Sequence, residues 1–296
     1  NKKQTPLWPL VKARANKTPL EWTHYTPPRP KFIGRRVFKN FDLADIARYI
    51  DWGPFFQTWD LAGPYPAILT DEVVGVEASK VFADGQAMLK RIIDGRWLTA
   101  NAVLGFYPAN TVNDDDIALY TDDSRSQVAM TWHGLRQQTE KQAVPDASGQ
   151  DVMRPSRCLA DFVAPKNIAN NVDGLSGKQD FIGLFAVTAG LGGEAREKAF
   201  VEAHDDYSAI LFKALADRLA EALAECLHER VRRDLWGYAA DESLGAHDLI
   251  AEKYQGIRPA PGYPACPDHS VKRDMFRLLQ CEEIGMGLTD SMAMTP

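Results

Sequence analysis

Between Arg258 and His269 the chain sets a guanidinium, a glycine, a tyrosine, a thiol and an imidazole into a stretch broken by Pro259, Pro261, Pro264 and Pro267. Each proline removes an amide donor and fixes φ, so the segment is neither helix nor central strand. Gly262 lets backbone approach a ligand with no Cβ in the way. Arg258 carries a planar, permanently charged fork suited to a carboxylate, and Tyr263 supplies an aromatic wall. Stiff, irregular backbone of this kind orders little further on binding, which makes it a good ligand platform. The same features would also serve a plain proline-rich surface connector.

Other groups with chemical potential carry less. Cys266 and His269 could share a metal, but two ligands do not make a site. Cys158, Cys226, Cys266 and Cys281 are widely scattered and fit no disulfide scaffold, zinc ribbon or iron–sulfur triplet, so they read as reduced structural thiols. Asn113-Asp114-Asp115-Asp116 offers adjacent acids to a hard cation, or else forms a solvated turn. Gly190-Leu191-Gly192-Gly193-Glu194-Ala195 fits G-x-G-x-x-A after an apolar run, the pattern of a Rossmann phosphate turn. That fingerprint needs a second strand ending in an acid about 20 residues on, and here that distance falls inside a helix-like run. The expectation is a glycine-rich turn, and a doubly wound methyltransferase is not expected.

The elements that must position these groups are legible in outline. Residues 1–30 read as a connector punctuated by Trp8-Pro9, Pro19 and Pro27-Pro28-Arg29-Pro30, with Trp8 and Trp22 available to a neighbouring domain. Phe41 to Ile50 reads as a short helix, and Val76 to Ile93 as a second, interrupted by Gly85. Ala102–Tyr107, Ile117–Thr121, Gln127–Trp132, Cys158–Val163 and Asp180–Thr188 read as strands, with loops over 140–157 and 165–179. His204 to Trp236 lacks Gly and Pro and predicts one helix of roughly 45–50 Å, opened by Asp205 and Asp206 and closed by arginines. Leu211, Leu215, Leu219, Ala222, Cys226 and Val231 trace the stripe it would bury.

A formal charge of -6 argues against a nucleic-acid partner, which needs a basic face. No run of 18 apolar residues offers a membrane span, and no charged-then-apolar leader follows Asn1. Both points fit a cytoplasmic protein or a fragment of a longer one. Periodicity supports an α+β class and no more.

Read as Arg-x-x-x-Gly-Tyr-Pro-Ala-Cys-Pro, the segment from Arg258 resembles the S-adenosylmethionine-binding motif of the activation domain of cobalamin-dependent methionine synthase. Further runs resemble that family in its order. They are Tyr49-Ile50-Asp51-Trp52 with Pro54-Phe55-Phe56, Leu135-Arg136-Gln137-Gln138, Leu159-Ala160-Asp161-Phe162-Val163-Ala164-Pro165, and Lys213 to Ala222. The resemblance runs from about Trp22 to the last residue. It implies a C-shaped single α+β domain, with a bent antiparallel sheet, flanking helices and one very long helix. It divides the chain into a connector over 1–30, from a preceding cobalamin-binding domain, and the activation domain over 31–296. The family continues past Thr295-Pro296 with a strand-rich tail carrying further tyrosines at the ligand, so a missing tail is expected here.

For the site, the resemblance implies Arg258 at the carboxylate of S-adenosylmethionine, with Pro259, Ala260, Gly262 and Tyr263 completing the platform. It places Asp51 at the ammonium, in an apolar wall of Trp52, Pro54, Phe55 and Phe56. Glu221 and Glu252 would hold ribose hydroxyls or offset the sulfonium, and Asp217 would face the cobalamin domain. On their own chemistry Asp51 could equally cap a helix and Glu221 be a solvated surface acid. The implied function is reactivation: S-adenosylmethionine, held in a shallow groove, gives its methyl to cobalamin on the adjacent domain. Reductive remethylation of cob(II)alamin then draws electrons from flavodoxin or a related flavoprotein. The isolated fragment would bind S-adenosylmethionine without turning it over, and no catalytic acid, base or metal is expected in this chain. A regulatory docking role, selecting the conformation open to flavodoxin, is the alternative.

Overall fold

The computed structural model describes residues 4–166, 178–264 and 266–296, so most of the loop expected over 165–179 lies outside the described residues. The arm at the start is tied to the body. Its short helix α1 (Leu10–Ala15) places Arg14 2.8 Å from Asp115, and the Trp8 amide donates to the Gln138 carbonyl at 2.7 Å. Trp8 is thus packed against its own chain rather than held for another domain.

Strand β1 (Gly34–Phe38) leads to helix α2 (Leu43–Ala47), where the Asp42 carboxylate caps the Ala44 amide at 2.9 Å. Helix α3 (Gly75–Gly95) runs unbroken through Gly85. A Cβ there would lie 2.7 Å from the Phe55 ring, so this glycine makes room for packing and does not interrupt the helix. Phe55 and Phe56 are buried in an aromatic cluster with Trp52, Trp59 and Phe82. They belong to the core, not to the ligand wall expected of them.

β2 (Thr99–Thr111), β3 (Asp116–Tyr120) and β4 (Val128–His133) follow, then β5 (Ala143–Pro145), β6 (Asp151–Met153) and β7 (Asp180–Leu191). β5 and β6 pair as a hairpin inside the stretch expected to be loop. The main sheet is antiparallel: β7 pairs along one edge of β2, β1 at Ala102–Phe106 and β3 at Ala109–Thr111 share its other edge, and β4 pairs with β3. β2 is its centre, and alternation along it serves two layers. Ala102, Leu104 and Phe106 face a cluster that includes Leu227, Val231 and Leu235. Val103, Tyr107 and Ala109 face the opposite cluster, with Leu279, Cys281 and Ile284. The Cys158–Val163 run is not a strand. Leu159–Phe162 coils as a 3-10 turn, which aims Asp161 at the buried Arg136, 2.7 Å away.

Gly192, at φ +83, turns β7 into α4 (Gly193–Glu202). Since β7 pairs antiparallel with β2, the glycine-rich turn belongs to no βαβ unit. Helix α5 (Asp206–Arg230) is the spine, and Leu211, Leu215, Leu219, Ala222, Cys226 and Val231 are buried as the stripe predicts. It stops short of the expected length, at a π turn over Val231–Leu235 in which the Trp236 amide donates to the Val231 carbonyl. That turn swings Arg232 inward, where it is fully buried and bridges to Glu242 at 2.7 Å. Short α6 (Ala246–Ile250), α7 (Val271–Leu279) and the pair β8 (Gly287–Leu288) and β9 (Met294–Thr295) complete an α+β domain.

Candidate functional site

A cavity of about 490 Å³ lies where β7, the second half of α5, α7 and residues 255–261 meet. That is the size of a small-molecule site. Phe181, Phe185 and Trp236 give it apolar walls. The Trp236 indole N–H donates to the Pro28 carbonyl at 2.9 Å and so holds the arm against the body. Trp22 and Tyr25 therefore also line the cavity, and Tyr25 is 44% exposed, so the rim opens to solvent.

The proline-rich platform is closed on itself. The Ala260 carbonyl accepts from the Tyr263 amide at 3.2 Å and from the Cys266 thiol at 2.9 Å, while the Gly262 amide donates to the Cys266 carbonyl at 2.9 Å. Gly262 has φ +96, and the His269 imidazole stands 2.1 Å from where a Cβ would be, so only glycine fits. Burial pushes the Cys266 thiol up to about 11, which keeps it a donor to the backbone. His269 Nδ1 instead accepts from Lys272 Nζ at 3.2 Å, so thiol and imidazole do not converge on a common point.

Arg258 projects from this platform towards α5. Its Nη2 donates to Glu225 Oε2 at 3.1 Å, while Arg258 Nε and Glu225 Oε1 are buried and make no hydrogen bond to any described residue. Burial pushes the Glu225 carboxyl up from its ordinary range, against the pull of Arg258 and Arg232. Behind this pair, Arg232 Nη1 donates to His228 Nδ1 at 2.6 Å, and its guanidinium lies 4.2 Å over the Tyr254 ring. A guanidinium can only donate, so His228 carries its proton on Nε2. Burial, with Arg232 and Arg258 close by, pushes the imidazole down to about 2 and keeps it neutral.

Of the residues expected at the site, Arg258, Pro259, Ala260 and Glu221 line the cavity. Gly262 and Tyr263 shape the turn beneath it, and Tyr263 itself is 64% exposed. Glu252, at φ +56 just after α6, lies outside the lining, although its charge reaches Glu225. Asp51 also lies outside the lining, and its Oδ1 accepts from the Gly53 amide at 2.9 Å at the entry to a 3-10 turn over Pro54–Trp59. Asp217 is exposed on α5, one turn before Glu221. Sequence reasoning missed His228, which lines the cavity and which no sequence signal marks.

A second hollow of about 480 Å³ is lined by Arg14, Asn113–Asp116, His133 and Arg136. Arg14 and Arg136 pair with Asp115 at 2.8 Å each and His133 with Asp116 at 3.1 Å, which leaves Asp114 as the one lining carboxylate without an ion pair among the described residues. Asp115, expected in a solvated turn, is buried for that reason.

Residues 42–296 match the family model for the activation domain of vitamin B12-dependent methionine synthase. The chain belongs to that family. A solved member, the crystal structure of the MetH reactivation domain bound to AdoHcy, is 48% identical and superposes with a TM-score of 0.86. The similarity covers 99% of this chain and 84% of that one. This activation domain thus shares its mixed helix-and-sheet architecture with a protein that binds an S-adenosyl compound.

Proposed function

We propose that this activation domain binds S-adenosylmethionine along Arg258–Pro261 and presents its methyl to cobalamin carried by an adjacent domain. The observation that carries the reading is Arg258. It is a guanidinium at the wall of a solvent-open cavity, with a buried donor nitrogen that no described residue uses. A carboxylate is the group such a nitrogen accepts best. The family match and the AdoHcy-bound relative support the ligand class.

Cobalamin would supply a reduced cobalt as the methyl acceptor, with flavodoxin or a related flavoprotein as electron source. The chain's own residues need add neither acid nor base. The stiff turn closed by Gly262 and Cys266 fixes the ligand's amino-acid end, the apolar walls hold the remainder, and the open rim leaves the methyl accessible. Glu221, exposed at the same wall, offsets the sulfonium charge. Residues 1–30 serve as the connector to the cobalamin domain, and Asp217 stands on the exposed face of α5 that this domain would approach. In the full-length enzyme Arg258→Ala is expected to abolish S-adenosylmethionine-dependent reactivation while turnover of already methylated enzyme continues. Reactivation at the unaltered rate would refute the assignment.

A further inference from the structure

One stretch of the arm is hydrogen-bonded to the body at both ends and not between them. Upstream of it, the Glu140 amide donates to the Pro6 carbonyl and the Ser156 amide to the Asn16 carbonyl, each at 2.8 Å. The Thr18 amide then donates to Asp161 Oδ2 at 3.3 Å. Downstream, the Trp236 indole N–H donates to the Pro28 carbonyl at 2.9 Å, and Arg29 forks onto Asp123. From Pro19 to Pro27 the chain makes no hydrogen bond to any described residue outside the stretch. Its bonds are internal: the Tyr25 amide donates to the Trp22 carbonyl, and the Thr23 and His24 amides donate to Glu21. Yet this stretch carries Trp22 and Tyr25 into the cavity wall, their rings 5.8 Å apart and edge to face.

Both anchors are soft. Thr18 Oγ1 is buried with no partner among the described residues, and the Asp161 carboxylate that holds the Thr18 amide is already bonded to Arg136. Arg29 and Asp123 are half-exposed, the setting in which an ion pair contributes little. Pro19, Pro27 and Pro28 fix φ at the two ends, so the residues between them move as a unit. A segment of this kind opens without breaking any bond but those at its ends, as active-site lids do. We propose that residues 19–27 are a strap that swings Trp22 and Tyr25 off the cavity to admit and release the ligand, with the Arg29–Asp123 pair as its latch. The proposal rests on the ligand class argued above. It gives a moving part to a cavity whose other walls include β7, α5 and α7.

Asp123 has no hydrogen-bond partner but Arg29 among the described residues and lies outside the cavity lining, so Asp123→Ala unlatches the strap without touching the wall. Where ligand passes only through the open state, entry and exit speed up together. Surface plasmon resonance with S-adenosylhomocysteine is expected to show both rate constants raised about threefold in Asp123→Ala, the size of a surface pair, with the affinity nearly unchanged. A static wall would leave association at its original rate, and that result would overturn the strap. A second measurement works without ligand. Cys158, Cys226, Cys266 and Cys281 are buried, so nitroxide labels go selectively to Thr23→Cys in the strap and Arg273→Cys on α7, both exposed positions. Pulsed electron resonance between the labels is expected to give a closed population and a second, broader one that grows in Asp123→Ala. One narrow distribution, the same with and without Asp123→Ala, would likewise overturn the strap. An unaltered chain that fails to bind S-adenosylhomocysteine would overturn the proposed function, while the label distances would still decide the strap.

Discussion

Arg232 reaches both oxygens of Glu242, whereas Arg258 reaches one oxygen of Glu225 and keeps a buried nitrogen free. The first arrangement fixes the backbone after α5; the second leaves one buried donor and one buried acceptor without a partner among the described residues. His228 sits between them, 5% exposed, with Arg232, Arg258 and the Tyr254 ring around it. Its folded value near 2 lies below the ordinary 6.5, so below about pH 6.5 the unfolded chain takes a proton that the folded chain refuses. Stability must therefore fall as pH falls through that window. At pH 5 the loss from this residue is about 2 kcal/mol, at ~1.4 kcal/mol per unit. Urea unfolding at pH 7.5 and pH 5 is expected to show that much less acid sensitivity in His228→Gln. An unchanged pH slope would contradict the burial of a neutral imidazole.

At the scale of elements, the sequence was readable where one residue type does one job. The buried stripe of α5 followed from spacing, and the edges of β3 and β4 from turn residues. It misled where a tertiary partner decides. Gly85 looked like an interruption because the Phe55 ring that needs its space lies 30 positions earlier in the chain. Leu159–Phe162 looked like a strand because its apolar residues are buried, but Arg136 claims the Asp161 carboxylate and coils the backbone around it. The helix end after Arg230 was hidden because the residue that breaks it, Arg232, is a good helix former. The Arg136 pairing is open to direct test. Its side chain is wholly buried between Asp115 and Asp161, so Arg136→Leu strands the buried Asp161 carboxylate and leaves Asp115 to Arg14 alone. A loss of about 3–5 kcal/mol in urea unfolding is expected, partly restored by adding Asp161→Asn. A loss under ~1 kcal/mol, the size of a surface pair, would contradict the network.

For the whole molecule, α5 joins two packing regions. Leu211, Leu215 and Leu219 pack with α2 and α3, and Leu227 lies against β2. The candidate site hangs on the second half of that spine but draws on distant segments: Trp22 and Tyr25 from the arm, Phe181 and Phe185 from β7, and Arg258–Pro261. The motif at Arg258 was legible because proline and glycine constrain backbone locally. The wall opposite was not, since only the fold brings His228, Trp236 and the arm beside it. Because Trp22 and Tyr25 line the candidate cavity, a shift of the arm would change the cavity wall directly.

The central claim is that Arg258 anchors an S-adenosyl ligand in that cavity. Titration calorimetry with S-adenosylmethionine tests it most directly. The unaltered chain is expected to show saturable binding at one site, and Arg258→Ala to weaken it about thirtyfold or more, as for a severed buried charge contact. Equal affinity in the two proteins would contradict the account.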